Sequence, residues 1–238
     1  MVVFLIILTS IQIYEIGIAN TLPQVAVAVI FAALLDIILT YHKEKRTFFP
    51  SSAIITGLLI STGLTINTKL WIVIIITIIA VASKHIIKMN KRHIFNPADF
   101  GLLIGMIVFS TGVQWWASKI FLLVLFFGLF LTWKVRRHQM LIAYLITHLI
   151  LSLVFSIFTG NLREYLLLIN VFFILFMFIE PITSSYSQLI KIVFGVVFGC
   201  LLFLFYFLVP SIDPFVLSLT TTNLVVVIIN KIMQKNLV

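Results

Sequence analysis

Apolar and polar positions in this chain alternate in long blocks, with no short period. Apolar runs lie near residues 2–14, 22–41, 52–64, 70–83, 99–112, 118–133, 139–157, 165–179, 190–208 and 214–230, divided by short polar or basic segments. A helix needs about 20 apolar residues to cross the roughly 30 Å of a bilayer's hydrocarbon. The pattern predicts an all-α integral membrane protein of about ten transmembrane helices. Two runs look short. The third is cleanly apolar only from Ala53 to Ile60, then turns polar through Ser61-Thr62-Gly63-Leu64-Thr65-Ile66-Asn67. The fifth runs from Phe100 to about Phe109 before Ser110-Thr111-Gly112. Ten helical residues cover only about 15 Å. These segments predict either discontinuous helices around a central site or full helices whose polar groups face neighbours.

Composition agrees: 62% of the 238 residues are hydrophobic and 10% charged, with mean hydropathy +1.24. No polar stretch is long enough for a soluble domain, so residues 1–238 read as a single membrane domain. Met1 leads directly into Val-Val-Phe-Leu-Ile without a basic lead, so the first run is expected to be a structural helix and not a removable signal. The lone cysteine, Cys200, lies in an apolar run and reads as a packing residue.

The net charge of +9 would suit nucleic acid, but its placement argues against that partner. With both termini cytoplasmic, the inner segments hold Lys43, Lys45, Arg46, Lys84, Lys88, Lys91, Arg92, Lys134, Arg136, Arg137, Lys191, Lys231 and Lys235. Of the 16 basic residues only Lys69, Lys119 and Arg163 fall outside, the bias that sets orientation in a cell membrane. Trp71, Trp115, Trp116 and Trp133 fall at predicted span ends, where interfacial aromatics are expected. Ten spans divide into halves of five, residues 1–115 and 116–238. An odd number per half gives the two halves opposite orientations, so inverted repeats are expected.

Three inner segments carry a proline shortly before a helix: Phe49-Pro50-Ser51-Ser52, Phe95-Asn96-Pro97-Ala98-Asp99, and Glu180-Pro181-Ile182-Thr183-Ser184-Ser185. Proline suits a first helical turn, and Ser51, Asn96, Ser184 and Ser185 are capping residue types. Each following helix would turn its positive N-terminal end to the inner half of the membrane. Together the three ends would suit an anionic or electron-rich ligand; singly, they are ordinary caps.

His93-Ile94-Phe95-Asn96-Pro97-Ala98, followed by Phe100-Gly101, resembles a segment of the membrane B subunit of the sodium-translocating NADH:quinone reductase and of the D subunit of the Rnf electron-transport complex. Phe178-Ile179-Glu180-Pro181-Ile182-Thr183-Ser184 resembles a second segment of that family, and Ser51-Ser52-Ala53-Ile54-Ile55-Thr56-Gly57-Leu58-Leu59 a third, in the family's order. The resemblance implies a ten-helix inverted-repeat fold, flavin binding, and electron transfer toward redox partner subunits or quinone, coupled to ion translocation. Carried to this sequence, the cofactor-binding candidates are Ser51, Ser52, Phe95, Asn96, Pro97, Glu180, Thr183 and Ser184. Phe95 would stack on a flavin while Asn96, Thr183, Ser184 and helix-end N–H groups meet its polar edge. Glu180 stands where the family usually has Asp, and Ser185 where it has a second proline. The family's outward Ser-Gly-Ala-Thr motif, which carries a covalent FMN, is missing from its place, so a non-covalent flavin (riboflavin or FMN) is expected. A small-solute or ion transporter on the same repeat is the alternative.

Charges deep in a membrane cost about 2.5–3.5 kcal/mol on insertion scales and suggest a lined path. Asp36, Asp99 and His148 are the ion-path candidates. Asp36 is also near enough to the inner boundary to pair with a basic residue, and His148 more readily reads as a neutral core histidine. Asn170 is central to the eighth run. His42, His85, His93 and His138 are expected to meet lipid headgroups. Gly101-x-x-x-Gly105 and Gly195-x-x-x-Gly199 read as helix-packing pairs. No metal-ligand cluster, Walker loop, dinucleotide fingerprint or nucleophile elbow is present, so electrons must come from a partner.

Reporter fusions after Thr40 and after Arg137 are expected to read cytoplasmic, and one after Gly160 external. An external reading after Arg137 refutes both the topology and the inverted repeat.

Overall fold

The computed structural model describes residues 1–45, 48–89, 92–179 and 187–235. Its helices are α1 (Val2–Ile16), α2 (Ile18–Glu44), α3 (Ser51–Gly63), α4 (Leu70–Ile86), α5 (Pro97–Phe109), α6 (Phe121–Lys134), α7 (His138–Thr159), α8 (Leu162–Leu167), α9 (Gln188–Leu208) and α10 (Pro214–Lys235). A two-residue hairpin, β1 (Lys88–Met89) and β2 (Arg92–His93), precedes α5. Four helices, within α2, α7, α9 and α10, are long and apolar enough to cross a membrane. The protein is a helical membrane protein. It divides into two compact units, Met1–Phe127 and Gly128–Val238, with the division inside α6.

In the first unit α2 packs against α3 and α4, α4 against α5, and α3 against both α4 and α5. Glycine sets the closest of these contacts. A Cβ on Gly57 of α3 would lie 2.8 Å from the Ala28 carbonyl oxygen and 2.8 Å from Val29 Cα of α2. Gly101 of α5 meets Ala80 and the Ile76 carbonyl of α4, and Gly105 meets the Ile76 side chain. The Gly101/Gly105 pair therefore packs helices, as its spacing predicts.

Both short runs end as short helices. α3 and α5 have 13 residues each, about 20 Å at 1.5 Å per residue. Past them the backbone extends and pairs: Leu64 bridges Val113, and Thr65 N donates to the Gly112 carbonyl at 3.1 Å. Gln114 N donates to the Gly63 carbonyl at 2.8 Å. The Ser61 carbonyl, left over at the end of α3, accepts from Gln24 Nε2 at 2.9 Å and Trp116 Nε1 at 3.0 Å. Buried backbone must find partners within the protein, and here it does. Trp115 and Trp116 are consequently buried, against the expectation of interfacial rings, whereas Trp71 and Trp133 are exposed.

In the second unit α7 packs on α8 and α9, and α9 on α10. Gly195 lies against the Met140 carbonyl and Ala143 of α7, and Gly199 against Thr147. The eighth run, expected as a continuous span over 165–179, is broken. α8 stops at Leu167 and the helix resumes at 171, passing into a π-helical stretch at Phe173–Phe178. Asn170 explains the restart: its side-chain oxygen accepts from Phe173 N at 3.0 Å and its carbonyl from Ile174 N at 3.0 Å, an N-cap inside an apolar run. All six π-helical residues are buried, and Phe178 lies 4.6 Å from Phe198 and 5.7 Å from Tyr144, ring centre to ring centre.

Gly57→Ala is expected to destabilise the detergent-solubilised protein by about 1–3 kcal/mol, because α2 backbone must move to admit the methyl group. A melting temperature equal to the parent's would show that the α2–α3 seam has slack.

Candidate functional site

The N-terminal starts of α3 and α5 hold the described part of the expected cofactor site. The two helices pack together and their C-terminal extensions pair at Leu64 and Val113. They therefore run in parallel, which brings Ser51 and Ser52 to the same end of the unit as Asn96 and Pro97. At α5 the chemistry is as the motif predicts. Asn96 is the N-cap, its side-chain oxygen accepting from Ala98 N at 3.0 Å and Asp99 N at 3.3 Å, with Pro97 as the first helical residue. At α3 it is not. Pro50 occupies the cap position, Ser51 is already helical, and no side chain caps the end. Ser51 N donates to the Phe49 carbonyl at 2.8 Å, so the N–H groups of α3 without a capping side chain are those of Ser52 and Ala53, beside the exposed Ser51.

Phe95 stacks on Phe100, ring centres 5.1 Å apart. Asp99 is fully buried in the first turn of α5, where the positive end of a helix favours a carboxylate. His93, expected at the headgroups, is only 6% exposed. Burial, with the Lys84 and Lys88 charges nearby and a smaller contribution from His85, pushes its imidazole down to about 4. It is neutral at pH 7.

Asp36 is the centre of an ionic cluster joining α2 to the last turn of α4. Its carboxylate is fully buried and meets Lys84 Nζ at 3.0 and 3.1 Å and His85 Nε2 at 2.7 Å. Lys43, two turns along α2, donates to the His85 carbonyl at 3.0 Å. Of the two readings left open for Asp36, pairing with a basic residue is what the geometry displays. His85 accordingly is buried and not at the headgroups.

In the second unit His148 is 2% exposed at mid-α7, against the Tyr144 and Phe203 rings and beside the backbone of Tyr165 and Leu166. Glu180, Thr183 and Ser184, with Ser185, lie outside the described residues; Ser187 caps α9, accepting from Ile190 N at 3.4 Å. Among the described residues no group of His, Cys, Asp or Glu is placed to hold a metal ion. Sequence reasoning missed Lys84 and His85 as the partners of Asp36. A signal existed, since adjacent basic residues end an apolar run at the same boundary as Asp36. It also missed Gln24 and Trp116, whose shared acceptor, the Ser61 carbonyl, is invisible without the fold.

The model of the family described as NQR2, RnfD, RnfE matches residues 1–120. The D subunit of the ion-translocating oxidoreductase complex of Actinobacillus succinogenes is 29% identical over 118 residues, 48% of this chain and 33% of that protein. The protein of the same description from Mannheimia succiniciproducens is 28% identical over 116 residues, 47% of this chain and 32% of that protein. About a third of each relative's length is thus spanned. The matched region contains Asp36, Ser51, Ser52 and Phe95 to Asp99.

Removing one member of a buried ion pair strands the other, at a cost of about 3–5 kcal/mol where the survivor is fully buried. Lys84→Met is therefore expected to destabilise more than Asp36→Leu, because it leaves the fully buried Asp36 carboxylate with His85 alone of its two partners, whereas the Lys84 side chain is 17% exposed. The double variant should recover most of the loss of Lys84→Met. Additive losses in thermal melts would show that the pair is not coupled.

Proposed function

The chain belongs to the NQR2, RnfD, RnfE family, and we propose that it serves as the membrane subunit of an ion-translocating oxidoreductase complex, passing electrons by way of a non-covalently held flavin. The observation that supports this most is the pair of parallel short helices inside the matched region, starting together at Ser51 and Pro97. The uncapped N–H groups of α3 and the Ser51 hydroxyl fit the electron-rich polar edge of a flavin. Asn96 contributes in a different way from the one its residue type suggests. Its oxygen is engaged by Ala98 and Asp99, so it sets the start of α5 and the direction of Phe95 rather than binding through that atom. Phe95 is half-buried against Phe100 and offers an aromatic wall. A bound flavin supplies reversible electron transfer; the chain's residues orient it, and positive helix ends favour its anionic reduced form. Glu180, Thr183 and Ser184 belong to the same proposal through their sequence motif alone.

Ten spans in two inverted repeats belong to the proposal as well. The order of packing inside the units supports it. The second helix of each five packs on the third and fourth, and the fourth on the fifth: α2 with α3 and α4, α4 with α5, then α7 with α8 and α9, α9 with α10. The third member is short or broken in both, at α3 and at α8. Those two helices also favour a second reading, passage of an ion or small solute past the breaks.

The purified protein is expected to show flavin absorbance, and to release all of it on denaturation. Ser51→Ala removes one hydrogen-bonding group worth about 1–1.5 kcal/mol, so flavin affinity should fall roughly tenfold while the fold persists. A preparation free of flavin that also fails to take up riboflavin or FMN would overturn the cofactor reading. A fluorescent band surviving denaturing electrophoresis would overturn its non-covalent character.

A further inference from the structure

The buried face of α7 carries Tyr144, His148 and Ser152, four residues apart and therefore stacked one turn above another. All three are buried, and the Tyr144 hydroxyl, both ring nitrogens of His148 and the Ser152 hydroxyl make no hydrogen bond of ordinary geometry among the described residues. His148 lies at the middle of α7, about 15 Å from either end. Burying a polar group unpaired is costly, and an apolar helix packs as well with leucine at each of these positions. Three consecutive turns bearing such groups in one file are a pattern that packing alone does not call for.

Rings and a helix break enclose the file. The Tyr144 and His148 rings are 5.6 Å apart, and His148 is 5.3 Å from Phe203, centre to centre. Phe178 and Phe198 lie against Tyr144. From the side of α8, which stops at Leu167, the backbone of Tyr165 and Leu166 stands beside the imidazole. Carbonyls at a helix end are left over as acceptors. A neutral imidazole offers one N–H and a protonated one two, and these carbonyls suit both. No charged side chain faces the ring. On α8, Arg163 is exposed and Glu164 is engaged by Asn161 and Tyr206. On α9, Lys191 donates to the Arg136 carbonyl, Cys200 is exposed and Tyr206 is held by Glu164. A charge on His148 is thus fixed by no ion pair and can come and go with a proton.

An ionisable residue in the middle of a span, beside unwound backbone, is the arrangement in which membrane proteins hold and pass ions. We propose that Tyr144, His148 and Ser152 form a proton path along α7, with His148 as the group that holds the proton at its centre. Successive members are about 6 Å apart along the helix axis, a span that one bridging water closes. A proton arriving from one hydroxyl binds the bare nitrogen of the imidazole, and the proton on the other nitrogen leaves toward the other hydroxyl. The ring ends neutral with the roles of its nitrogens exchanged, and no bond between heavy atoms changes. The inference deepens the ion-translocation reading, on which it rests for its purpose, by naming the ion as a proton. It makes no use of the flavin.

The test is exchange of the His148 ring N–H with deuterated water, read by solid-state NMR on the full chain in lipid bilayers. Thr147-His148 is the one Thr-His pair in the sequence, so threonine labelled at its carbonyl carbon together with nitrogen-labelled histidine identifies the signals. The ring N–H is expected to exchange faster than the backbone N–H of the same residue, which is held inside α7. Tyr144→Phe and Ser152→Ala each delete a hydroxyl that makes no hydrogen bond, so the fold should persist. Either variant alone leaves one side of the path open; the double variant should slow ring exchange several-fold. A ring N–H in the parent protein as protected as the backbone N–H overturns the proposal. So does a double variant that exchanges as fast as the parent, since the protons then enter by another route. Flavin content measured on the same samples separates the two readings. A flavin-free protein whose ring N–H exchanges and responds to the double variant counts against the cofactor alone, and a flavin-bearing protein with a protected ring counts against the path alone.

Discussion

A helix that ends where it is buried leaves carbonyl groups with no water to receive them, and the first unit is organised around meeting that demand at the end of α3, where Ser61 to Leu64 are buried. The Ser61 carbonyl takes two side-chain donors, from Gln24 on α2 and from Trp116. The Gly63 carbonyl takes the backbone N–H of Gln114. Each unsatisfied group of this kind costs several kcal/mol in hydrocarbon. The partners are therefore obligatory, and they come from far along the sequence. That requirement ties α2, α3 and the segment after α5 into one body. It also explains why Gly57 must be glycine-sized: the Gln24 contact holds α2 close against α3.

A second tie acts at the opposite end of α2. Asp36 with Lys84 and His85, reinforced by Lys43 on the His85 carbonyl, links the late part of α2 to the last turn of α4. A buried pair of this kind adds little net stability over apolar packing. Its effect is on register, because a fully buried carboxylate accepts no other position for its two partners. Between the two ties α2 is held in rotation and in height, and the starts of α3 and α5 inherit that placement.

The helices themselves were largely legible in the sequence, because block length and basic boundaries report directly on the bilayer. The shortness of α3 and α5 was legible too, from the polar turn at Ser61-Thr62-Gly63 and from Ser110-Thr111-Gly112. The break in the eighth run was not. Its only sign is Asn170, and an isolated amide in an apolar run reads equally as an interhelical hydrogen-bonding group. At the site, Asn96-Pro97 was legible as a cap because cap chemistry is local. The missing cap at Ser51 was not, since whether Pro50 or Ser51 takes the cap position depends on backbone angles. The burial of His93 and His85 was hidden for a further reason. Both sit next to lysines or arginines, and a basic neighbourhood on paper looks like an exposed one.

The π-helical stretch at Phe173–Phe178 has a mechanical consequence. A π turn closes its hydrogen bonds one residue later than an α turn, so it stores one surplus residue within the helix. It cannot tighten to α geometry by bending. It has to slide the chain on one side by a residue, which turns everything on that side by about 100° about the helix axis. With Phe173, Phe176 and Phe178 each buried among other rings, such a slide exchanges a whole aromatic face at once. The surplus residue is thus locked in place by the rings around it, and the segment resists small adjustments of register.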